Sequence, residues 1–368
     1  MMPARVGDTV DAIDTPALVI DLDAMQRNLA TMADFARTHQ VRLRPHAKLH
    51  KSGVIAQMQM RAGAVGVCVQ KLSEAEALAD AGVTDIYLSN EVIAPPKLER
   101  VAALAQRITL AIAVDSALGI TRLAAALKAA GSMLDVFVEI DVGQGRCGVA
   151  PTAAGALAHQ VVAHGLRFAG LQAYHGRAQH LRGAAEREAA VRHVVSLVRT
   201  AQAMITGAGI ACPLVTGAGT GTFAFEAAGG VCGELQAGSY LFMDRDYADN
   251  DPAPNTPRFE HALFVKSQVV SRGHSHAVVD AGHKSHAIDS GLPKVWGRDL
   301  AFANGGDEHG ILHARGDALP ALGDTVWLVP GHCDPTVNLH DHYVVVRGGL
   351  AQGVVEALWP VDARGCVT

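Results

Sequence analysis

The sequence predicts an α/β fold in which an N-terminal (β/α)8 TIM-like barrel precedes a C-terminal all-β domain. Eight apolar, β-branched runs of strand length alternate with alanine-rich segments of helical period before residue 243. Eight such units match the strand number of a closed parallel barrel, with an open doubly wound sheet as the alternative. After residue 243, short alternating runs follow one another without convincing helices between most of them, which is typical of a β domain.

The elements of the predicted barrel follow in chain order. The predicted strands span residues 41–45, 64–69, 85–89, 109–114, 134–141, 168–174, 213–216 and 234–240. The predicted helices span residues 23–38, 74–81, 97–105, 117–130, 152–164 and 184–205. Together they place the barrel at residues 22–243.

A proline-rich break at residues 250–257 lies near the start of the predicted β domain, residues 244–368. The strands predicted for this domain span residues 262–270, 276–280, 325–329, 342–346 and 354–359. A further strand at residues 16–21 precedes the first helix of the barrel. We expect residues 1–21 to join the β domain.

Composition limits the classes of function. With 368 residues, 49% hydrophobic and 18% charged, the chain can bury a sizeable core. The net charge of -5 and the lack of a basic stripe argue against nucleic-acid binding. We expect a cytoplasmic protein without a membrane anchor, because the sequence shows neither a signal segment nor a run of about 18 apolar residues. The six cysteines are scattered without a C-x-x-C pair, which favours reduced thiols.

A lysine at the end of the first barrel strand is the first candidate for chemistry. That strand runs into His46-Ala47-Lys48-Leu49-His50-Lys51, which holds two lysines and two histidines. Partial burial there would disfavour the charged form of a lysine and leave a nucleophilic amine. Such an amine can form a Schiff base with a carbonyl, including the aldehyde of pyridoxal 5'-phosphate (PLP). A basic surface loop is the alternative.

The loops after strands seven and eight are candidates for phosphate binding, as is common in barrels of this class. The seventh strand ends in a glycine-rich loop with the candidate ligands Thr216, Gly217, Gly219 and Thr220, and the eighth adds Ser239 and Tyr240. Glycines let a phosphate approach the backbone N–H groups closely. A tight turn without a ligand is the alternative.

Two residues at other strand ends are candidates for contacts with the PLP ring. Arg146 lies in a glycine-rich turn after strand five and is a candidate partner for the phenolate oxygen. Tyr174 ends strand six and is a candidate for the pyridine ring or its nitrogen. The alternatives are a loop salt bridge for Arg146 and a core position for Tyr174.

The β domain holds a candidate metal site in Pro330-Gly331-His332-Cys333-Asp334-Pro335-Thr336. If this segment is extended, residues two apart face the same way, so that His332 and Asp334 share a face and Cys333 does not. An imidazole and a carboxylate suit Mn²⁺, Mg²⁺ or Zn²⁺ and leave room for water and substrate. A surface turn is the alternative.

These motifs together resemble the D-threonine aldolase / D-serine dehydratase family of fold-type III, alanine-racemase-like PLP enzymes. The resemblance runs through DTPALVID (14–21), RPHAKLHK (44–51), VGQGRCGV (142–149), LQAYHG (171–176), the 216–222 loop and PGHCDPT (330–336). It implies that Lys48 carries PLP and that His332 and Asp334 bind a divalent metal ion. It also implies a homodimer with the active site near the subunit interface.

Within this family, Asp334 favours an aldolase, because dehydratase-like members tend to have a cysteine at the corresponding position and aldolase-like members an aspartate compatible with Mn²⁺. We expect a small-molecule substrate, D-threonine, D-3-phenylserine or D-3-hydroxyaspartate, to be cleaved to glycine and an aldehyde.

His180, in the loop after strand six, is the candidate base, with a structural role as the alternative. The nearest alternative function is a dehydratase that forms a 2-oxo acid and ammonia. A metal-free racemase, a non-catalytic PLP-binding protein and a PLP-free metal hydrolase are further alternatives.

Overall fold

The computed structural model describes residues 2–254 and 256–368. The strands there are β1 (Ala17–Asp21), β2 (Arg42–Leu43), β3 (Val67–Val69), β4 (Asp85–Leu88), β5 (Thr109–Val114), β6 (Asp135–Glu139), β7 (Arg167–Ala173), β8 (Val215–Gly217), β9 (Glu234–Leu235), β10 (Leu263–Arg272), β11 (Ala277–Val279), β12 (Lys294–Val295), β13 (Leu300–Asn304), β14 (Gly310–Ala314), β15 (Thr325–Val329), β16 (His342–Arg347) and β17 (Val354–Pro360). The helices are α1 (Leu22–Thr38), α2 (Gly53–Arg61), α3 (Leu72–Asp80), α4 (Pro95–Leu104), α5 (Ala117–Ala130), α6 (Ala154–Ala163), α7 (Ala184–Gly207), α8 (Phe223–Ala228), α9 (Arg245–Ala248), α10 (Cys333–Val337) and α11 (Gly349–Gln352).

The eight strands β2 to β9 form a parallel barrel. Their order around the sheet is β2-β9-β8-β7-β6-β5-β4-β3. Backbone hydrogen bonds join the two ends of this order: the N–H of Cys68 donates to Pro45 O and that of Ala47 donates to Cys68 O, each at 2.8 Å. Because these bonds close the sheet, the predicted (β/α)8 barrel is confirmed.

Two barrel helices, α2 and α8, are absent from the sequence prediction. The helix α2 begins at Gly53, where an added Cβ would lie only 2.5 Å from the Cβ of Ala81. A glycine is therefore required for the close approach of α2 to the end of α3. The helix α8 has only six residues, too few for a helical period to stand out. The predicted strand at residues 234–240 is also too long, because Ser239–Leu241 forms a 3-10 turn.

The second sheet is mostly antiparallel and follows the order β13-β14-β11-β10-β1-β16-β17, with β15 paired to both β10 and β12. The strand β1 pairs antiparallel with β10 and parallel with β16, so the first strand of the chain lies inside this sheet. Three short strands, β12, β13 and β14, were not predicted. The short helices α9, α10 and α11 interrupt a region predicted to be purely β.

The two largest apolar cores hold these layers together. One lies between the barrel strands and the helices α2 to α7 that surround them. The other packs α1 and the 3-10 turn Ser239–Leu241 against the second sheet, with Met25, Phe242 and Tyr343 fully buried. This second core brings α10 to the carboxyl end of the barrel, where the loops of the site lie. Across residues 2–254 and 256–368, no helix combines the length and apolarity needed to cross a membrane.

Candidate active site

A cavity of about 200 Å³ opens at the carboxyl ends of the barrel strands. This is the end at which (β/α)8 enzymes place their reactive groups. Its lining comes from six barrel strands or the loops after them, and from two segments beyond the barrel. The lining residues are His46, Lys48, Leu49, Gln70, Arg146, Gln172, Tyr174, Ala218, Gly219, Thr220, Gln236, Gly238, Ser239, Tyr247 and Asp334.

Lys48 lies on a turn between β2 and α2, and its Nζ contacts the carboxylate of Asp334. About 39% of the lysine side chain and 14% of the aspartate side chain remain exposed, so the pair faces the cavity. Burial lowers the pKa of Lys48, but the neighbouring Asp334 carboxylate outweighs it, and the pKa is raised overall. The expectation that burial leaves this amine uncharged is therefore wrong for the ion-paired state.

The loop after β8 and the turn after β9 form a cradle of polar groups. The backbone N–H groups of Ala218, Gly219, Thr220 and Ser239 have no acceptor among the described residues. The Thr220 hydroxyl accepts a hydrogen bond from Tyr240 N at 2.9 Å, which ties the two loops together. Ala218 has a φ of 70°, a strained value for a residue with a Cβ, and such strain is often found at ligand sites. Unsatisfied N–H groups beside hydroxyls fit a phosphate.

Three of the predicted phosphate ligands support this cradle from behind without lining the cavity. The Thr216 hydroxyl donates to Glu234 Oε1 at 2.9 Å inside the barrel. A Cβ on Gly217 would lie 2.2 Å from Ala173 O, so this glycine serves strand packing. The buried Tyr240 hydroxyl accepts a hydrogen bond from Gln59 Nε2 at 3.2 Å. Among the predicted ligands, the structure thus brings Gly219, Thr220 and Ser239 to the cavity wall.

Arg146 and Tyr174 meet in the wall of the cavity. The Arg146 guanidinium carbon lies 5.8 Å from the centroid of the Tyr174 ring. Burial raises the pKa of the Tyr174 phenol despite the opposing charges of Lys48 and Arg146. Tyr174 is therefore a neutral hydroxyl near neutral pH, as a weak partner of a pyridine nitrogen would be.

His332 and Asp334 form the candidate metal site, but not in the predicted backbone conformation. The segment is not extended throughout: His332 is the extended N-cap residue of α10, and Asp334 lies in the first turn of that helix. The turn still brings His332 Nε2 within 3.9 Å of Asp334 Oδ2. Cys333 points elsewhere, since it is 1% exposed and belongs to the apolar core between α1 and the second sheet.

Two observations bear on how this pair could hold a metal ion. Asp334 Oδ1 is buried without a hydrogen-bond partner among the described residues, which is costly unless a ligand satisfies it. The 3.9 Å between His332 Nε2 and Asp334 Oδ2 is slightly wider than the roughly 3–3.4 Å between adjacent ligands of an ion with bonds of about 2 Å, so a small side-chain movement would close the pair on an ion. Burial raises the pKa of Asp334, but the charges of Lys48 and His332 lower it strongly, so the carboxylate is ionised as a metal ligand must be.

Asp244, which the sequence analysis missed, supports His332 from the side opposite Asp334. This fully buried carboxylate accepts hydrogen bonds from His332 Nδ1 at 2.8 Å and from Cys333 N at 3.0 Å. Burial lowers the pKa of His332, but Asp334 and Asp244 together raise it to about 9. A metal ion at Nε2 would replace the second proton of this imidazole, and the carboxylate at Nδ1 would hold the ring in a fixed orientation. The available signal was a pair of aspartates, Asp244 and Asp246, just after the last barrel strand.

His180 lies on a 3-10 turn after β7, and its Nδ1 is 2.6 Å from Asp246 Oδ2. Burial raises the pKa of Asp246, but hydrogen bonds from His180 and Arg182 lower it to about 2. Asp246 N also donates to Gly331 O at 3.2 Å, which places the His180 pair beside the metal segment. Nearly half of the His180 side chain is exposed, and the residue does not line the cavity within the described part of the chain.

Comparisons with known proteins identify relatives of this chain. The model of the alanine racemase N-terminal domain matches residues 20–246, and that of a putative serine dehydratase domain matches residues 262–346. The chain is 45% identical over 368 residues to a D-threonine aldolase of Arthrobacter sp., covering 99% of this chain and 96% of that protein. It is 42% identical over 374 residues to a 3-hydroxy-D-aspartate aldolase of Paracoccus denitrificans (strain Pd 1222), covering 99% and 95%.

A solved structure is also very similar. The crystal structure of D-threonine aldolase from Filomicrobium marinum matches with a TM-score of 0.97 and 50% sequence identity, over 100% of both chains. The similarity thus includes the barrel, the second sheet and the segment between them. As its motifs predicted, the chain belongs to the alanine-racemase-like family that includes D-threonine aldolase and 3-hydroxy-D-aspartate aldolase.

Proposed function

We propose that this protein is a PLP- and divalent-metal-dependent lyase that cleaves the Cα–Cβ bond of D-β-hydroxy-α-amino acids to glycine and an aldehyde. The observation that carries the proposal is the meeting of Lys48 with Asp334 in one cavity, beside His332. It joins a lysine that can hold PLP to two side chains that can hold a metal ion. The relatives named above support it, since they are described as aldolases of D-threonine and 3-hydroxy-D-aspartate.

We propose one orientation for PLP in the cavity. Lys48 is the amine that would bind its aldehyde carbon, and the N–H groups of Ala218 to Thr220 and of Ser239 would bind its phosphate. Arg146 is our candidate partner for the phenolate oxygen, and Tyr174 for the pyridine nitrogen. When bound, PLP supplies an electron sink for the electron pair that remains on Cα after bond cleavage.

His332 and Asp334 would hold the metal ion, and we propose Mn²⁺, with Mg²⁺ or Zn²⁺ as alternatives. When bound, the ion acts as a Lewis acid that lowers the pKa of the substrate's β-hydroxyl. Asp244 keeps the proton of His332 on Nδ1, so that Nε2 faces the site. The burial of Cys333 in the apolar core leaves an oxygen and a nitrogen as the ligands, which favours Mn²⁺ and the aldolase over the dehydratase.

We propose His180 as the base that removes the proton of the β-hydroxyl, directly or through a water molecule. Its Nδ1 donates to the ionised Asp246, which leaves Nε2 as the proton acceptor. The carboxylate also holds the imidazole ring in one orientation. Because His180 does not line the cavity, we expect it to act at the cavity mouth.

We further propose that the protein works in the cytoplasm as a homodimer whose active site lies near the subunit interface. The support is the family resemblance. Sedimentation equilibrium tests the assembly, and a purely monomeric holoenzyme with full activity would contradict it.

Product analysis tests the function. The PLP-loaded protein is incubated with Mn²⁺ and D-threonine, with a chelator-treated sample as the first control and Lys48→Ala as the second. We expect glycine and acetaldehyde, lost in both controls, and loss of the visible cofactor band in Lys48→Ala. The formation of 2-oxobutyrate and ammonia would show a dehydratase instead. If D-threonine gives no product, D-3-phenylserine and D-3-hydroxyaspartate are assayed next, and failure of all three refutes the proposal.

A further inference from the structure

We infer that Lys51 and Glu74 form a buried clamp that positions Lys48 for cofactor binding. The inference rests on the proposed function, in which Lys48 holds PLP. Lys51 lies three residues after Lys48, and the sequence leaves it without a role. The structure places its ammonium away from the cavity, against α3 and against residues 361–366.

The Lys51 ammonium is fully satisfied by three acceptors. Its Nζ lies 3.0 Å from Glu74 Oε1, 3.3 Å from Ala363 O and 3.4 Å from Cys366 O. An ammonium has three N–H donors, so none is left over. The lysine and glutamate side chains are 8% and 5% exposed, which makes this a buried ion pair.

The backbone of Lys51 is held as firmly as its side chain. Lys51 O accepts a hydrogen bond from Ala363 N at 3.0 Å, and Lys51 N donates to Ala47 O at 2.7 Å. Its φ of 50° lies in the left-handed region, which costs free energy in a residue with a Cβ. Such a conformation persists only where the surrounding contacts enforce it, and here those contacts bracket Lys48.

Glu74 also connects the clamp to His46, which precedes Lys48 in the chain. Its second oxygen, Oε2, accepts hydrogen bonds from Gln70 N and Lys71 N, each at 3.0 Å. The side chain of Gln70 lines the cavity, and its Nε2 lies 3.1 Å from His46 Nε2. One carboxylate thus connects Lys51, three residues after Lys48, with His46, two residues before it.

Residues 361–366 and β16 complete the attachment of the loop. Gly53 N, at the start of α2, donates to Asp362 Oδ2 at 2.7 Å. The Tyr343 hydroxyl on β16 donates to His50 O at 2.6 Å. The loop that carries Lys48 is therefore tied to the second sheet, which also carries the segment of His332 and Asp334.

A buried ion pair is a costly way to fill space, since apolar side chains of similar volume often stabilise a fold as well or better. A polar pair with every donor used does specify a single geometry for the loop. The pair therefore positions the loop in a way that apolar packing alone would not. We expect loss of the clamp to affect cofactor binding and turnover more than metal binding.

The test compares Lys51→Met with Lys51→Arg in the PLP- and Mn²⁺-loaded enzyme. Four quantities are measured: the visible band of the cofactor, the rate of PLP release, kcat and KM for D-threonine, and the Mn²⁺ dissociation constant. For Lys51→Met we expect PLP release to be faster and kcat lower, each by about tenfold, with a shifted visible band. We expect Mn²⁺ affinity to change by less than about twofold, and Lys51→Arg to restore much of kcat.

A second variant avoids the risk that an unpaired buried Glu74 prevents folding. Asp362→Ala removes the acceptor of Gly53 N at a partly exposed site and should accelerate PLP release in the same direction. Wild-type behaviour of both variants would overturn the clamp, and so would a parallel loss of Mn²⁺ and PLP binding, which indicates general disruption. A wild-type protein without any visible PLP band would instead refute the proposed function itself.

Discussion

Replacing Asp244 by asparagine isolates the contribution of one buried carboxylate to metal binding. Asp244 accepts three backbone or side-chain N–H groups: His332 Nδ1 at 2.8 Å, Cys333 N at 3.0 Å and Tyr247 N at 3.0 Å. An asparagine has one acceptor oxygen and one NH₂ group, so at least one of these donors then faces another donor. If the NH₂ group faces His332, the imidazole proton moves to Nε2 and the metal ligand is lost.

The expected magnitude follows from the position of this carboxylate behind the ligand. Loss of such a partner typically weakens metal binding by about 10- to 100-fold, which corresponds to about 1.4–2.8 kcal/mol. We expect this for Asp244→Asn, because the hydrogen bond to His332 Nδ1 is short and the Asp244 side chain is fully buried. Activity at saturating Mn²⁺ should recover in large part, since the two ligands themselves remain.

The assay is a titration of the chelator-stripped, PLP-loaded enzyme with Mn²⁺, followed by cleavage rate and by the EPR signal of free Mn²⁺. Asp246→Asn is the matched control, because this residue is two positions away, is also buried and contacts His180 instead of His332. Its Mn²⁺ dissociation constant should stay within about twofold of that of the wild type. The reasoning is refuted if Asp244→Asn binds Mn²⁺ as tightly as this control.

Three further predictions concern the core, the phosphate cradle and acid stability. Cys333→Ala should lower the free energy of unfolding by about 1 kcal/mol and leave the Mn²⁺ dissociation constant unchanged, because the thiol lies in the core. Urea unfolding and Mn²⁺ titration measure these two quantities, and weaker metal binding would contradict the prediction. Gly219→Ala should raise the PLP dissociation constant by about tenfold. The Cβ of the new alanine would lie 2.5 Å from Gln179 Oε1, which accepts a hydrogen bond from Gly221 N. A fluorescence titration with PLP that matches the wild type would count against the cradle. Asp246 has a pKa of about 2 against a usual 3.8. Its ionised form therefore stabilises the fold by about 2 kcal/mol above about pH 4, and this stabilisation is lost as the pH falls towards 2. Urea unfolding should therefore show Asp246→Asn less stable than the wild type at pH 7 and nearly equal to it near the acid limit, whereas a constant difference would contradict the assignment.

Much of the fold could be predicted from the sequence because its signals are local. Strand and helix periods, and the change of pattern after residue 243, depend on neighbouring residues and predicted the barrel and the β-rich region correctly. Some of the errors lie where the local pattern is weak. The helices α8 and α10 have six and five residues, and β12 has two, so none contains enough residues for a period to be visible.

The candidate site could be predicted in part for the same reason. Lys48, Arg146 and Tyr174 follow predicted barrel strands, and parallel strands present their carboxyl ends on one side. By contrast, nothing local separates Thr220, which lines the cavity, from Thr216, which turns into the barrel towards Glu234. The direction of each side chain depends on where the short strand β8 ends, and that is set by its pairing with β7 and β9.

The sequence by itself determined the chemical groups available to this protein: a lysine, a glycine-rich loop and a histidine–aspartate pair in a fixed order. Only the tertiary structure decided which of them meet. Lys48 and Asp334 are 286 residues apart, and Asp244 and His332 are 88 apart, yet each pair is in direct contact. The physical reason is that such contacts depend on how the closed barrel packs against the second sheet, through a core to which many distant residues contribute. No period or spacing along the chain records that packing, so Asp244 and the clamp of Lys51 and Glu74 become visible only in the folded molecule.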